Sequence, residues 1–272
     1  MPLQIGTRFR SFVRPAFVGA RTAHVRRGSV SLPLTPLPLL VVAPHQDDET
    51  IGCGGLIARK RDGGAPVTVV FLTDGSRCFG DAYPDVAGLT ARRRGEALRA
   101  LEILGVPAAD VHFLDLPDGG LSRLSEAARR DVRRRLADLM EACGAREVCA
   151  PHFHDRHADH EAAHEIVRDA IIAAASRAAA PSPPVLLQYL IWHFWESPLL
   201  GPTNRDEMRG ACCLTLPKGA HSRKVRALRE YRTQHALLPF GFWRSSARRW
   251  ELYLRAEVGA TPPPLVEEKT RG

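Results

Sequence analysis

No stretch of the 272-residue sequence approaches the ~20 consecutive apolar residues that a membrane-spanning helix needs. The longest apolar runs, at 37–43 and 185–195, have the length of strands, so no membrane span is expected. Cysteine is scarce in patterns that would give it a structural role. There are six, two of them adjacent at Cys212 and Cys213, and no CxxC pair. A disulfide framework and a thiolate zinc site are both unsupported, and the reducing cytoplasm is the expected compartment. Acidic residues are missing from residues 1–46, where Arg8, Arg10, Arg14, Arg21, Arg26 and Arg27 make the segment basic. Organellar transit peptides share that composition, but the apolar core and small-residue cleavage site of a signal peptide are lacking. The segment reads as a basic N-terminal extension at 1–37, packed loosely on a domain at 38–258. A tail at 259–272, rich in proline at 262–264, is expected to be mobile.

A hydrophobic fraction of 44% and a charged fraction of 25% allow one sizeable core. The net charge of +8 raises the question of an anionic partner. The basic residues are overwhelmingly Arg, however, and are spread over helical stretches that also carry acidic residues, such as 91–102 with Glu96 and Glu102. They read as solvated helix faces, with no nucleic-acid partner. The sequence carries no internal repeat and no signal for an oligomeric state.

Residues 39–42 form an aliphatic run ending at Pro44, the pattern of a buried strand. Residues 50–61 carry apolar positions at helical spacing and stop at Gly63-Gly64, and 67–72 is a second β-branched run. Strand, helix and strand within about 35 residues make a right-handed βαβ unit, so the expected fold is α/β and doubly wound. The pattern then predicts helices at 90–104, 122–143, 160–177 and 218–235. It predicts strands at 111–114, 147–150, 185–194 and 210–216, and a linker at 178–184.

Two clusters of imidazoles and carboxylates follow predicted strands. The first is Pro44-His45-Gln46-Asp47-Asp48-Glu49. The second runs from His152 to His160, with His164 one turn on. In a parallel sheet the loops at the strand carboxyl ends form one rim, so the two clusters are expected to face each other. Zinc without thiolates takes imidazole and carboxylate ligands, three of them in a catalytic site with one position open. His45 and Asp48 reach a common point from a strand-to-helix turn, and His160 supplies the third ligand. Asp47 and His157 remain for proton chemistry, the carboxylate taking a proton from the attacking water and an imidazolium supporting the oxyanion and the departing amine. Fe2+ is the alternative ion for such a donor set.

These residues carry a family resemblance. The run Pro44-His45-Gln46-Asp47-Asp48-Glu49-Thr50 resembles the His-Pro-Asp-Asp-Glu signature of the PIG-L/LmbE-like N-acetylglucosaminyl deacetylases. His157-Ala158-Asp159-His160 is similar to that family's His-Pro-Asp-His motif. Between the two motifs, Leu72-Thr73-Asp74-Gly75, Arg93 with Glu96, Leu104-Gly105-Val106 and Phe113 to Gly119 resemble the family in the same order, as does Tyr231 to Gln234 near the end. The resemblance implies a Rossmann-like fold with a mostly parallel sheet and helices on both faces. It also implies zinc-dependent removal of an N-acetyl group from a small amino sugar or its conjugate, with zinc on His45, Asp48 and His160, Asp47 as base and His157 as acid. Gln46 and Ala158 stand where the family has proline, which bears on loop geometry rather than on ligands.

Glu49 reads as a helix-start carboxylate orienting His45, and Asp159 as a partner to a histidine or a helix cap. Asp74 and Arg93 are the expected substrate contacts. His152, His154 and His164 are read as extra histidines outside the ligand set. Gly52, Gly54 and Gly55 serve close helix–sheet packing, since the third glycine of a dinucleotide fingerprint is missing. Trp192, Trp195, Phe240, Phe242 and Trp243 are read as core or pocket wall. The alternatives are a non-sugar amide deacylase of the same mechanism and, from another class, a non-catalytic anion-binding module with a structural metal.

Overall fold

In the computed structural model, residues 3–78, 84–177, 183–198, 208–235, 237–256 and 258 are described. The helix α1, Leu3–Gly28, leads into the short strand β1, Val30–Ser31. Then β2 (Leu39–Ala43), α2 (Asp48–Asp62), β3 (Val67–Thr73), α3 (Val86–Leu104) and β4 (Val111–Leu116) alternate. They are followed by α4 (Glu126–Ala142), β5 (Glu147–Pro151) and α5 (Ala158–Arg177). The last part holds β6 (Val185–Tyr189), β7 (Ala211–Thr215), α6 (Lys218–Leu228), the short helices α7 (Arg232–His235) and α8 (Phe242–Ser246), and β8 (Trp250–Ala256). The expected linker at 178–184 and tail at 259–272 fall mostly or wholly outside the described residues.

The strands form one sheet in the order β1-β7-β8-β6-β5-β2-β3-β4. All neighbours pair in parallel except at β8, which is antiparallel to both β6 and β7. The mostly parallel doubly wound fold is as the sequence implies. Alternation along β2 shows why both faces carry helices: Leu39, Val41 and Ala43 enter the core beneath α2 and α3, while Leu40 and Val42 enter the one beneath α4 and α5.

Three expected segments take another form, and the strand β8 was not expected at all. Over residues 3–28 the basic segment forms a helix rather than a loose extension. Val18 and Val25 are buried in the main core, and β1 joins the sheet beside β7. The predicted strand at 185–194 stops at Tyr189, because Asp155 Oδ1 takes the N–H groups of Ile191, Trp192 and His193 at 2.9, 3.1 and 3.0 Å. The predicted helix at 218–235 breaks at 229–231, where Tyr231 drops into the core and donates to Glu49.

The chain runs from β2 to β3 and β4 on one side of β2, and β5 then pairs with β2 on the other side. That reversal opens a crevice at the carboxyl ends of β2 and β5, the strands that carry the two histidine clusters.

Candidate metal centre and active site

Glycine brings the first cluster close to the sheet. A Cβ on Gly52 would lie 2.5 Å from Tyr189 Cδ2, and one on Gly55 would lie 2.4 Å from Leu216 Cδ2, so only glycine allows α2 to sit this low. The turn into α2 is made by Asp47, whose φ of 143° is a conformation few L residues adopt. Its carbonyl receives the N–H groups of Thr50 and Ile51, but its carboxylate makes no cap bond. That carboxylate remains available at the floor of the crevice.

Asp48 Oδ2 lies 3.1 Å from His45 Nδ1 and 3.2 Å from His160 Nε2. The His160 Nε2 is buried and makes no hydrogen bond. The three donor atoms lie within 4.8 Å of one another, close enough for one ion with bonds of about 2.0–2.2 Å to bridge them. Each imidazole is held by its other nitrogen. His160 Nδ1 stands 2.8 Å from Asp155 Oδ2, and His45 Nε2 stands 3.2 Å from Asp118 Oδ1 and 3.3 Å from Asp159 Oδ2. Asp159 is fixed by the N–H groups of Gly119 and Leu121 at 2.7 and 3.0 Å. These carboxylate–imidazole pairs are the arrangement that orients histidine ligands.

Charge supports the same reading. Asp47, Asp48, Glu49, Asp118, Asp155 and Asp159 are all buried around two imidazoles and the Arg93 guanidinium. Burial works to lower the His45 and His160 pKa values, but neighbouring carboxylates outweigh it. His45 is raised well above the ordinary range by Asp118, Asp159 and Asp48, and His160 is raised to about 9 by Asp48 and Asp155. Asp48 shifts down: burial opposes the shift, and the imidazoles of His160 and His45 outweigh it. Asp47 is pushed up to about 8 by burial and by Asp48, with Arg93 opposing. Such a concentration of buried carboxylate is what a divalent cation neutralises.

His157 differs from its neighbours. Burial, then the charges of His160 and His45, push its pKa down to about 4, which favours a neutral ring over the expected imidazolium. Its ring lies 5.1 Å from that of His45 and stacks 6.3 Å from Trp192.

The hydrogen bonds of Glu49 go elsewhere than to His45. Its carboxylate receives the Asp47 N–H at 3.2 Å and hydrogen-bonds Thr50 and Tyr231, so it braces the turn beneath Asp47. Arg93 lines the cleft with Nη2 4.0 Å from Asp47 Oδ1, and donates to the carbonyls of Gly75 and Gln46 at 3.0 and 3.1 Å. Asp74 is not among the residues lining the cleft. Its Oδ1 accepts from the Ser76 and Asp118 N–H groups and shapes the two loops. His152, His154 and His164 stay outside the ligand group: His152 Nδ1 accepts from the His154 N–H, and His164 Nδ1 meets the Pro151 carbonyl at 3.0 Å.

The cleft above these groups measures about 360 Å3. Arg77, Asp118 and Gly119 form its wall beyond β3 and β4. Ile191, Trp192 and Phe242 form the wall beyond β6. Asp118 and Asp155 received no role from the sequence alone, although both lie in quoted motifs. Their partners come from tertiary contacts, which spacing does not encode.

Residues 40–171 match the family described as PIG-L: GlcNAc-PI de-N-acetylase. The diacetylchitobiose deacetylase of Thermococcus kodakarensis is 40% identical over 96 residues, covering 35% of this chain and 34% of that protein. A probable N-acetyl-alpha-D-glucosaminyl L-malate deacetylase 2 of Bacillus subtilis is 29% identical over 200 residues, covering 72% of this chain and 82% of that protein. The curated relatives that reach 30% identity are matched over about half their length or less. Among solved structures, the conserved protein TT1542 from Thermus thermophilus superposes with a TM-score of 0.60 at 27% identity, covering 84% of this chain and 98% of that one. The segment that matches the PIG-L family, residues 40–171, is the one that carries both histidine clusters.

Proposed function

We propose that this protein is a metal-dependent amidohydrolase that removes the acetyl group from the amide nitrogen of a small amino sugar or of a conjugate carrying one. The observation that carries the reading is the convergence of His45 Nδ1, Asp48 Oδ2 and His160 Nε2 beside the uncommitted carboxylate of Asp47. Zinc is the proposed ion and Fe2+ the alternative, since this donor set accepts either. Bound there, a divalent ion supplies Lewis acidity and lowers the pKa of water to ~7.

The side chains divide the remaining work. Asp47 takes the proton of the attacking water as its oxygen bonds to the amide carbon. Arg93, 4.0 Å away, favours the charged carboxylate and holds its orientation. Neutral His157 offers an N–H to the oxygen on which negative charge gathers, as a donor aimed at the transition state. The carbon–nitrogen bond then breaks, the proton taken from water passes to the departing nitrogen, and the free amine and acetic acid leave, the acid losing its remaining proton to solvent as acetate.

The amino-sugar acceptor rests on the relatives named above as deacetylases of diacetylchitobiose and of an N-acetylglucosaminyl malate, and on a cleft with one polar and one aromatic wall. A non-sugar amide is the second reading. Against a binding module with a structural metal stands Asp47, buried and free of both cap and ligand duty. The test is acetate release from a panel of N-acetylated sugars, sugar-lipids and non-sugar amides, run with metal analysis. Metal bound with no acetate released from any of them overturns the enzyme reading.

A further inference from the structure

The family match begins at residue 40, yet α1 lies directly behind the cleft's aromatic wall. Two segments build that wall: residues 191–197 after β6, which supply Ile191 and Trp192, and α8, which supplies Phe242. The helix grips both. Arg14 Nη1 donates to the Ser197 carbonyl at 3.2 Å, and Arg248 Nη1, just past α8, donates to Thr22 Oγ1 at 2.6 Å. Gly241, with φ of 79°, packs so tightly on α1 that a Cβ there would lie 2.6 Å from Pro15 Cγ.

Between α1 and the wall lies a cavity of about 70 Å3, lined by Val18 and Thr22 on the helix side and by Phe194 and Trp195 on the wall side. Ile51 and Ile191 line both this cavity and the substrate cleft. The partition between them is one side chain thick. A close-packed interior transmits a change on one face of such a partition to the other.

We propose that α1 is a specificity-determining element of the substrate site acting at one remove: through Val18, Thr22 and Pro15 it sets the position of Ile191, Trp192 and Phe242, and so the shape of the apolar wall against which part of the substrate lies. The proposal rests on the amidohydrolase reading for its kinetic readout but not for its structural one. Val18, Thr22 and Pro15 are positioning residues; none of them lines the cleft.

The test compares wild type with Val18→Phe, which fills the cavity and presses on Ile191, and with Thr22→Val, which removes the tie to Arg248. On any acetyl amide the wild type hydrolyses, Val18→Phe is expected to raise KM about tenfold with kcat within about twofold, because only binding of the wall-side group is altered. Bound metal is expected to stay at the wild-type level. Thr22→Val is the milder change and keeps the test open if the larger side chain prevents folding. Acrylamide quenching of Trp192, taken as the difference from a Trp192→Phe background, is measured on the same proteins and needs no turnover. A wild type that hydrolyses nothing fails the amidohydrolase reading, and the quenching still decides the role of α1. Unchanged KM and unchanged Trp192 quenching in both folded variants overturn the proposal.

Discussion

Asp155 and His160 form a buried pair, Oδ2 to Nδ1 at 2.8 Å, while the other oxygen of the same carboxylate gathers the backbone N–H groups of 191–193. One side chain thereby aims a proposed metal ligand and anchors the start of the cleft's aromatic wall. Asp155→Asn should weaken metal affinity by about 10- to 100-fold, with turnover recovering as metal is raised. Competition with a graded chelator measures it. An affinity equal to wild type would mean that His160 needs no such partner.

His45→Ala, Asp48→Ala and His160→Ala should each lose bound metal and activity together, since three ligands leave no redundancy. Elemental analysis of the purified variants decides. Full occupancy in any one of them removes that residue from the ligand set.

Asp47→Asn should keep its metal and lose turnover by about 10²- to 10⁴-fold, the usual effect of removing a general base. Glu49 is the next candidate if turnover survives. Its carboxylate is buried and already bonded to Thr50 and Tyr231, so a transfer of role would require those bonds to break.

His157→Gln should also retain metal, and should lower turnover by about 10²- to 10³-fold through loss of an oxyanion donor. Because His157 is held to about 4, it does not titrate near neutrality. The basic limb of the kcat/KM profile should therefore keep its position while the plateau drops. A basic limb that vanishes in this variant would restore the protonated imidazole as the working form.

His164 makes a stability prediction. Burial pushes its pKa from 6.5 down to about 4, with the Pro151 carbonyl opposing. The unfolded chain binds this proton at a higher pH than the native one. The stability it contributes is therefore present above 6.5 and lost as pH falls through about 4, at most of the order of 3 kcal/mol. Urea melts across that range should show the decline, and His164→Phe should flatten it. An unchanged slope in the variant would mean the ring is already protonated in the native state.

The site was legible in the sequence where a strand ends in a short polar cluster. The aliphatic run of β2 announced the loop carrying His45 and Asp48, and the same logic found His157 and His160 after β5. The glycines of α2 were legible too, because a helix that forgoes side chains at 52 and 55 does so for close approach, here to Tyr189 and Leu216. What escaped lies in contacts between distant segments. Asp118 meets His45 from the loop after β4. β8 was hidden because Glu251 interrupts its apolar pattern, and that carboxylate is tolerated because Lys224, the Gly55 and Leu56 N–H groups and the Tyr253 hydroxyl donate to it. α1 was masked by its arginines: Val18, Thr22 and Val25 make a buried stripe one residue wide among exposed charge.

The reach of Glu251 back to the Gly55 N–H, 196 positions earlier, bears on how the chain is made. On the ribosome, residues 45–160 emerge with every proposed metal ligand before the strand that seals the helix bearing Asp48 has been synthesised. During that interval the Lys224 ammonium lacks its counter-charge, and β6 has an open edge where β8 will pair. An unpaired edge of this kind is where chains associate wrongly. The carboxylate of Glu251 thus works as a late fastener, and the window before it closes is when the nascent protein most needs shielding from its neighbours.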